Sequence, residues 1–295
     1  VHNTACAQLV KDIDLSTVCG EDKGNWTPIA KYGVYKSGGK NFDGVFDGNG
    51  HTISNLYIND KNGSNFGLFG YIYPTIQKTS VKNLKMRNVQ IVGDEYCAAV
   101  SGSGCDVTFE NIEVISGSIA GNDYIFGISG CSGNARNCIN RANVTASNSN
   151  VAGIIFHIEV YKKVSNCSNY GKITTGIGRA GGIATSCDGY TKLTDCANYG
   201  DIYVTETVDS NSDYAVGGLL GDPWTLEISN CANFGNIYLK AQSELVGVIV
   251  GTEKLLKASG ILANTGKIYV GSTAQTDVPV LQSGISWFED NVDNT

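Results

Sequence analysis

At 295 residues and 31.2 kDa the chain is long enough to bury a sizeable core, which excludes disorder and a miniprotein held only by disulfides. Hydrophobic residues make up 42% and charged ones 17%, with Gly 37, Pro 4 and Met 1, a stock suited to strands and turns rather than helices. The net charge of -7 supplies no basic footprint for nucleic acid or an anionic membrane, and no apolar run reaches the length of a bilayer span.

From the start of the chain, Val1 to Cys6 lack the basic and apolar stretches of a signal peptide. Lys11 to Ser16, Trp26 to Ile29 and Phe42 to Ile53 predict opening strands, so residues 1–50 are expected to form a cap and first coil. Residues 51–276 carry the repeats. Residues 277–295, with Trp287 and Phe288, are expected to cover the last coil, completing a single domain.

The repeat is plain in the middle of the chain. Val164-Ser165-Asn166-Cys167-Ser168-Asn169-Tyr170-Gly171 returns at Leu193 to Gly200 and again at Ile228 to Gly235, with a looser copy at Ala263-Asn264-Thr265-Gly266. Extending the register outward places Asn55, Asn83, Asn111 and Asn137 at the anchor position of Asn166. Apolar residues flank the anchors, which describes a strand bending there with inward side chains on either side. A second limb recurs as Gly67-Leu68-Phe69-Gly70, Gly127-Ile128-Ser129-Gly130, Gly153-Ile154-Ile155, Gly181-Gly182-Ile183, Gly217-Gly218-Leu219 and Gly247-Val248-Ile249. Units of this size, with two or three short strands and no helical period, predict an all-β fold, a parallel β-helix (β-solenoid) of seven to eight coils with terminal caps. The usual hand of parallel crossovers makes a right-handed winding the expectation.

Equivalent residues of such coils stack, so each column must be compatible with itself. The anchor Asn side chains can bond one another, and Asp195 keeps an acceptor in that column. Gly171, Gly200, Gly235 and Gly266 are expected to form a turn column requiring φ > 0. Of the ten cysteines, Cys138, Cys167, Cys196 and Cys231 share the position of Leu56, Leu84 and Ile112 and read as buried free thiols. Cys97, Cys105, Cys131 and Cys187 are irregularly placed, and Cys6 with Cys19 is the candidate pair for a disulfide.

The opening DIDLS…WTPI…FDGVFDGNGHTISNLYI…GLFG resembles bacterial surface β-solenoids that carry the GLUG motif and its relatives associated with immunoglobulin-A peptidases. The later NCSNYGKIT…AGGIA and NCANFGNIYL…VGVIVG resemble the same repeat class, so the likeness spans most of the chain. The resemblance implies a secreted or cell-surface segment, adhesive or displaying; separately, a monomer is expected. It does not carry over a peptidase activity: HExxH is absent, and His2, His51 and His157 lie far apart in sequence.

No P-loop, dinucleotide fingerprint or G-x-S-x-G elbow occurs, and no catalytic set or cofactor is expected. Asp43, Asp47 and Asn49 offer oxygens for calcium but lack the EF-hand spacing, and no metal is assigned to them. Six residues beyond the second-limb glycines lie Tyr73, Gly133, Glu159, Asp188, Trp224 and Glu253, and two further on come Tyr161 and Tyr190. Glu159, Tyr161, Asp188, Tyr190, Asp222 and Trp224 therefore form the candidate ligand site, since aromatic faces beside carboxylates suit a sugar groove. Three functions are compatible with this pattern. The first is non-catalytic adhesion or glycan binding at a bacterial surface, with a glycan or host-surface ligand as partner. The second is a polysaccharide lyase or glycosidase acting through Glu159 and Asp188, with Lys162 and Lys163 as possible bases, and the third is a passive stalk.

Overall fold

The computed structural model describes residues 6–31, 41–74, 78–207, 214–243, 245–252 and 255–275. Short strands with one apolar face cannot bury that face alone, and here they do so by stacking coil on coil. Phe46, Val81, Phe109, Ala135, Val164, Leu193, Ile228 and Ala258 are successive partners in parallel pairs, giving a solenoid of about seven turns. The strands gather into sheets of 18, 9 and 6 strands, parallel throughout except for the terminal antiparallel pair Ile268–Val270 and Thr273–Ala274. A 3-10 turn spans Leu15–Thr17, and among the described residues no helix is long and apolar enough to cross a membrane.

The core is a set of apolar columns. Ile58, Ile91, Ile119, Val144, Ile173, Ile202, Ile237 and Ile268 stack through the 9-stranded sheet, each buried. At the N-terminal end Ala7 pairs with Phe46 and Ile13 with Ile53, both parallel, so the opening strands lie under the first coil. Residues 277–295, proposed as the other cap, lie outside the described residues, as does Glu253.

The anchor column bends as the sequence suggests. Asn83, Asn111, Asn137, Asn166, Asp195 and Asn230 all have φ between 51° and 55°, the left-handed region that Asn and Asp tolerate best among residues with a Cβ. Each Asn Nδ2 reaches the side chain one coil below: Asn111 to Asn83, Asn137 to Asn111 and Asn166 to Asn137, at 2.7, 2.9 and 2.8 Å. Asn55 does not belong to this column. Gly48 occupies the anchor place of its coil, because Asp47 pairs with Lys82, whereas Asn55 accepts from Asn88 on a separate bend. The Gly48-Asn49-Gly50 turn lengthens the first coil and displaces the register that counting alone assigns.

A second Asn ladder runs inside the solenoid. Asn140, Asn169, Asn198 and Asn233 are fully buried, and each Nδ2 donates both to the backbone carbonyl two residues ahead and to the Asn one coil above. The Gly171, Gly200, Gly235 and Gly266 column follows directly after it. None of these glycines has positive φ. They are required for a different reason: a Cβ at each would collide with the carbonyl group of the residue one coil below, Ala142, Gly171, Gly200 and Gly235 respectively.

Cys138, Cys167, Cys196 and Cys231 stack above Leu84 and Ile112 and below Leu262, with Leu56 in a different column. All ten cysteines are free, including Cys6, which is exposed, and Cys19, which is buried, so the candidate Cys6–Cys19 disulfide is not formed. Burial pushes the Cys138, Cys167 and Cys196 thiols well up, and the Cys97 and Cys131 thiols to about 12. A buried, protonated thiol is a poor nucleophile. Titration of the native protein with a chromogenic disulfide at pH 8 is therefore expected to show fast reaction of Cys6 and slow reaction of half-buried Cys105, whose thiol burial raises to about 11. The remaining eight should react only on unfolding; fast reaction of several thiols in the folded state would contradict this packing.

Candidate functional site

Each coil leaves the 6-stranded sheet, turns at the second-limb glycines and enters the 18-stranded sheet. The entering strands are Ser129–Arg136, Ile155–Ile158, Ala184–Cys187 and Leu220–Pro223. At this corner Ala98, Phe126 and Ala152 form a small apolar cluster apart from the main core, with Tyr124 and Phe156 packed on it. Tyr96 and Tyr124 stack at 4.4 Å, and burial pushes the Tyr96 hydroxyl up to about 12 and raises that of Tyr124.

The register brings the sequence-derived site residues to one edge in two rows. Ile158 pairs with Cys187 and Cys187 with Pro223, so Glu159, Asp188 and Trp224 follow one another on three successive coils. Tyr161 and Tyr190 stack on neighbouring coils with ring centroids 5.5 Å apart and planes 12° apart. Asp222 stands apart from the turn row. It lies within its strand in register with Ser186, is buried, accepts from Thr252 Oγ1 at 2.7 Å and has Arg179 Nη2 3.9 Å from its Oδ2.

The carboxylates of the turn row are held from below. Ser132 Oγ donates to Glu159 Oε1, and Asp188 Oδ2 lies 3.1 Å from His157 Nε2. Lys162 is paired with Asp106, and Lys163 is exposed with its backbone N–H donating to Asn134 Oδ1. Gly133 pairs in-strand with Val107 rather than joining the turn row. Among the described residues no group of three or more His, Cys, Asp or Glu side chains is arranged to hold a metal. Asp43 and Asp47 are engaged instead with Thr79 and with Asn83 and Asn49.

Tyr161 is 78% exposed and Tyr190 67%, against 42% and 44% for Tyr170 and Tyr199. The difference matters. Tyr170, Tyr199 and Phe234 stack at 4.5 and 4.8 Å with Arg141 4.4 Å over the Tyr170 ring, so their faces are spent on one another and edges face solvent. Tyr203, Tyr238 and Tyr269 form a similar ladder. Tyr161 and Tyr190 also stack on one another, but at the wider 5.5 Å and with more of each ring exposed, from backbone at φ 61° and 59°. A bulky residue in that region costs about 1 to 2 kcal/mol, a strain that Gly or Asn would relieve.

Counting along the sequence missed the contacts of His157 and Ser186. His157 Nδ1 is 2.8 Å from Ser186 Oγ, one repeat period away. The separation that matters in a solenoid is a whole coil, so residues 29 apart are neighbours and the wide spacing of the histidines excluded nothing.

No protein-family model matches the chain. A stretch of 117 residues, 40% of the chain, is 30% identical to a protein of Evansella cellulosilytica described as a "Putative Gly-rich membrane protein". A comparable stretch of 128 residues is 31% identical to Halomucin of Haloquadratum walsbyi. These matches span 11% and 1% of the two relatives, which are far longer proteins. Among solved structures, one from Bacteroides ovatus described as a "putative immunoglobulin A1 protease" superposes with a TM-score of 0.59 at 18% identity, covering 93% of this chain and 74% of that one. That similarity is one of fold, and it agrees with the β-solenoid.

Proposed function

We propose that the chain is a β-solenoid segment of a larger cell-surface or secreted protein, and that it binds carbohydrate along the edge formed by Tyr161, Tyr190 and Trp224. The resemblance to GLUG-type surface repeats and the descriptions of the two long relatives, a Gly-rich membrane protein and Halomucin, support the location. Burial of eight of the ten thiols makes the fold compatible with an oxidising exterior. The observation that carries the binding reading is the pair of outward, backbone-strained tyrosines beside Glu159 and Asp188. Aromatic rings covering the apolar face of a sugar, with carboxylates accepting from its hydroxyls, are the chemistry of such an edge.

A glycan array run with a reducing-sugar assay tests this reading. Parent protein is expected to bind a subset of polysaccharides, and Tyr161→Ala or Trp224→Ala to weaken binding about 10-fold, roughly the loss of one stacking contact. Tyr190→Gly should lose binding while its thermal midpoint stays near that of the parent, because strain relief offsets the lost stacking. Silence across the array would leave the passive-stalk reading. Release of reducing ends that disappears in Glu159→Gln would favour the glycosidase reading instead.

A further inference from the structure

Ser186, His157 and Asp188 lie together on two adjacent coils. Ser186 Oγ is 2.8 Å from His157 Nδ1, and His157 Nε2 is 3.1 Å from Asp188 Oδ2. With the imidazole proton on Nε2, toward the Asp188 carboxylate, Nδ1 would present its lone pair to the serine hydroxyl. We propose that this trio supplies the nucleophile, base and orienting carboxylate for hydrolysis of short-chain carboxylic esters, sharing Asp188 with the tyrosine edge.

The surroundings suit that role. His157 and Ser186 are Cα partners on adjacent parallel strands, which fixes both backbones at inter-strand spacing. Phe156 lies beside the imidazole, with ring centroids 5.8 Å apart, and contacts Tyr124 and Phe126, forming an apolar wall on one side of the group. Ser186 is 8% exposed, so the proposal is confined to small acyl groups. The carboxylate of Asp222, in register above Ser186, would oppose negative charge at the reacting centre, and Arg179 beside it offsets that charge. The ring nitrogens have exchanged the partners they have in the chymotrypsin arrangement, and the roles require the proton on Nε2.

In the reaction, Ser186 Oγ bonds to the ester carbonyl carbon while its proton passes to His157 Nδ1. The imidazolium, held by Asp188, returns that proton to the departing alkoxide as the C–O bond breaks, leaving an acyl-serine. Water then loses a proton to His157 and attacks the acyl carbon, and Ser186 Oγ leaves and regains the proton, releasing the carboxylic acid.

The test uses the purified full chain with p-nitrophenyl acetate and a fluorophosphonate probe. Turnover and a covalent adduct located at Ser186 by peptide mass are expected. Ser186→Ala should abolish the adduct and reduce hydrolysis to background, and His157→Asn should lower kcat/KM by about 10²-fold or more, both at an unchanged thermal midpoint. Asp188→Asn, which cannot fix the same tautomer, should lower kcat more than it changes KM. Absence of turnover and adduct in folded parent protein would overturn the proposal, as would activity that survives Ser186→Ala, since an imidazole alone can cleave this ester. Glycan binding that persists in Ser186→Ala separates this outcome from that of the sugar-binding edge.

Discussion

Gly200→Val is expected to destabilise the protein by roughly 3 kcal/mol or more, lowering the thermal midpoint by about 5 °C or more. A Cβ at this position would lie 2.8 Å from the Gly171 carbonyl carbon and closer still to its oxygen. The obstacle is backbone, so no rotamer change relieves it. Nor can the coil lift locally, because Gly235 is packed in the same way against the Gly200 carbonyl, and Gly200 O accepts from Asn198 Nδ2 at 2.8 Å. Gly189→Ala is the matched control: no atom stands within 4 Å of its added Cβ, and its effect should stay within about 0.5 kcal/mol. Equal midpoints for Gly200→Val and the parent in a calorimetric or circular-dichroism melt would contradict the stacked column.

This glycine column shows what could be read without coordinates and what could not. Its existence follows from the recurrence of Asn-Tyr-Gly and Asn-Phe-Gly at one repeat position, because a repeat that stacks must place identical residues in line. Its cause did not follow. Positive φ and close approach both select glycine, and only the φ values and the neighbouring carbonyl distinguish them. The anchor column was legible where the period is regular, from Asn83 to Asn230, and failed at Asn55, where extra residues around Gly48-Asn49-Gly50 shift the phase. For the candidate edge, counting from the glycines correctly aligned Glu159 with Asp188 and Tyr161 with Tyr190. It could not reveal that Ser132 and His157 already hold those carboxylates, since side-chain direction and inter-coil hydrogen bonds are not encoded in spacing. The Ser186 and His157 pairing lay within reach of the same period and was hidden only by judging the histidines on linear distance.

Asn198→Ala should be among the most damaging single changes in the chain, for a reason unrelated to size. Asn198 Oδ1 accepts from Asn169 Nδ2 at 2.9 Å, while its Nδ2 donates to Asn233 Oδ1 at 2.9 Å and to Gly200 O. Truncation strands a donor and two acceptors in a site without exposure, and each such group costs about 1 to 3 kcal/mol, so a loss of about 3 to 5 kcal/mol is expected in denaturant unfolding. Asn166→Gly breaks the corresponding ladder at the exposed bend while keeping a residue that accepts φ > 0, and should cost only about 1 kcal/mol. Asn198→Asp adds a pH signature. A buried carboxyl facing the Asn233 and Gly200 oxygens can satisfy one of them only by keeping its proton, so its folded pKa lies above the unfolded value of about 3.9. Stability relative to the parent is then fully retained below the unfolded value and declines as pH rises through the folded one. The variant should therefore differ least from the parent in acid and most at neutral pH; a pH-independent difference would mean that the amide ladder is not the source of the stability.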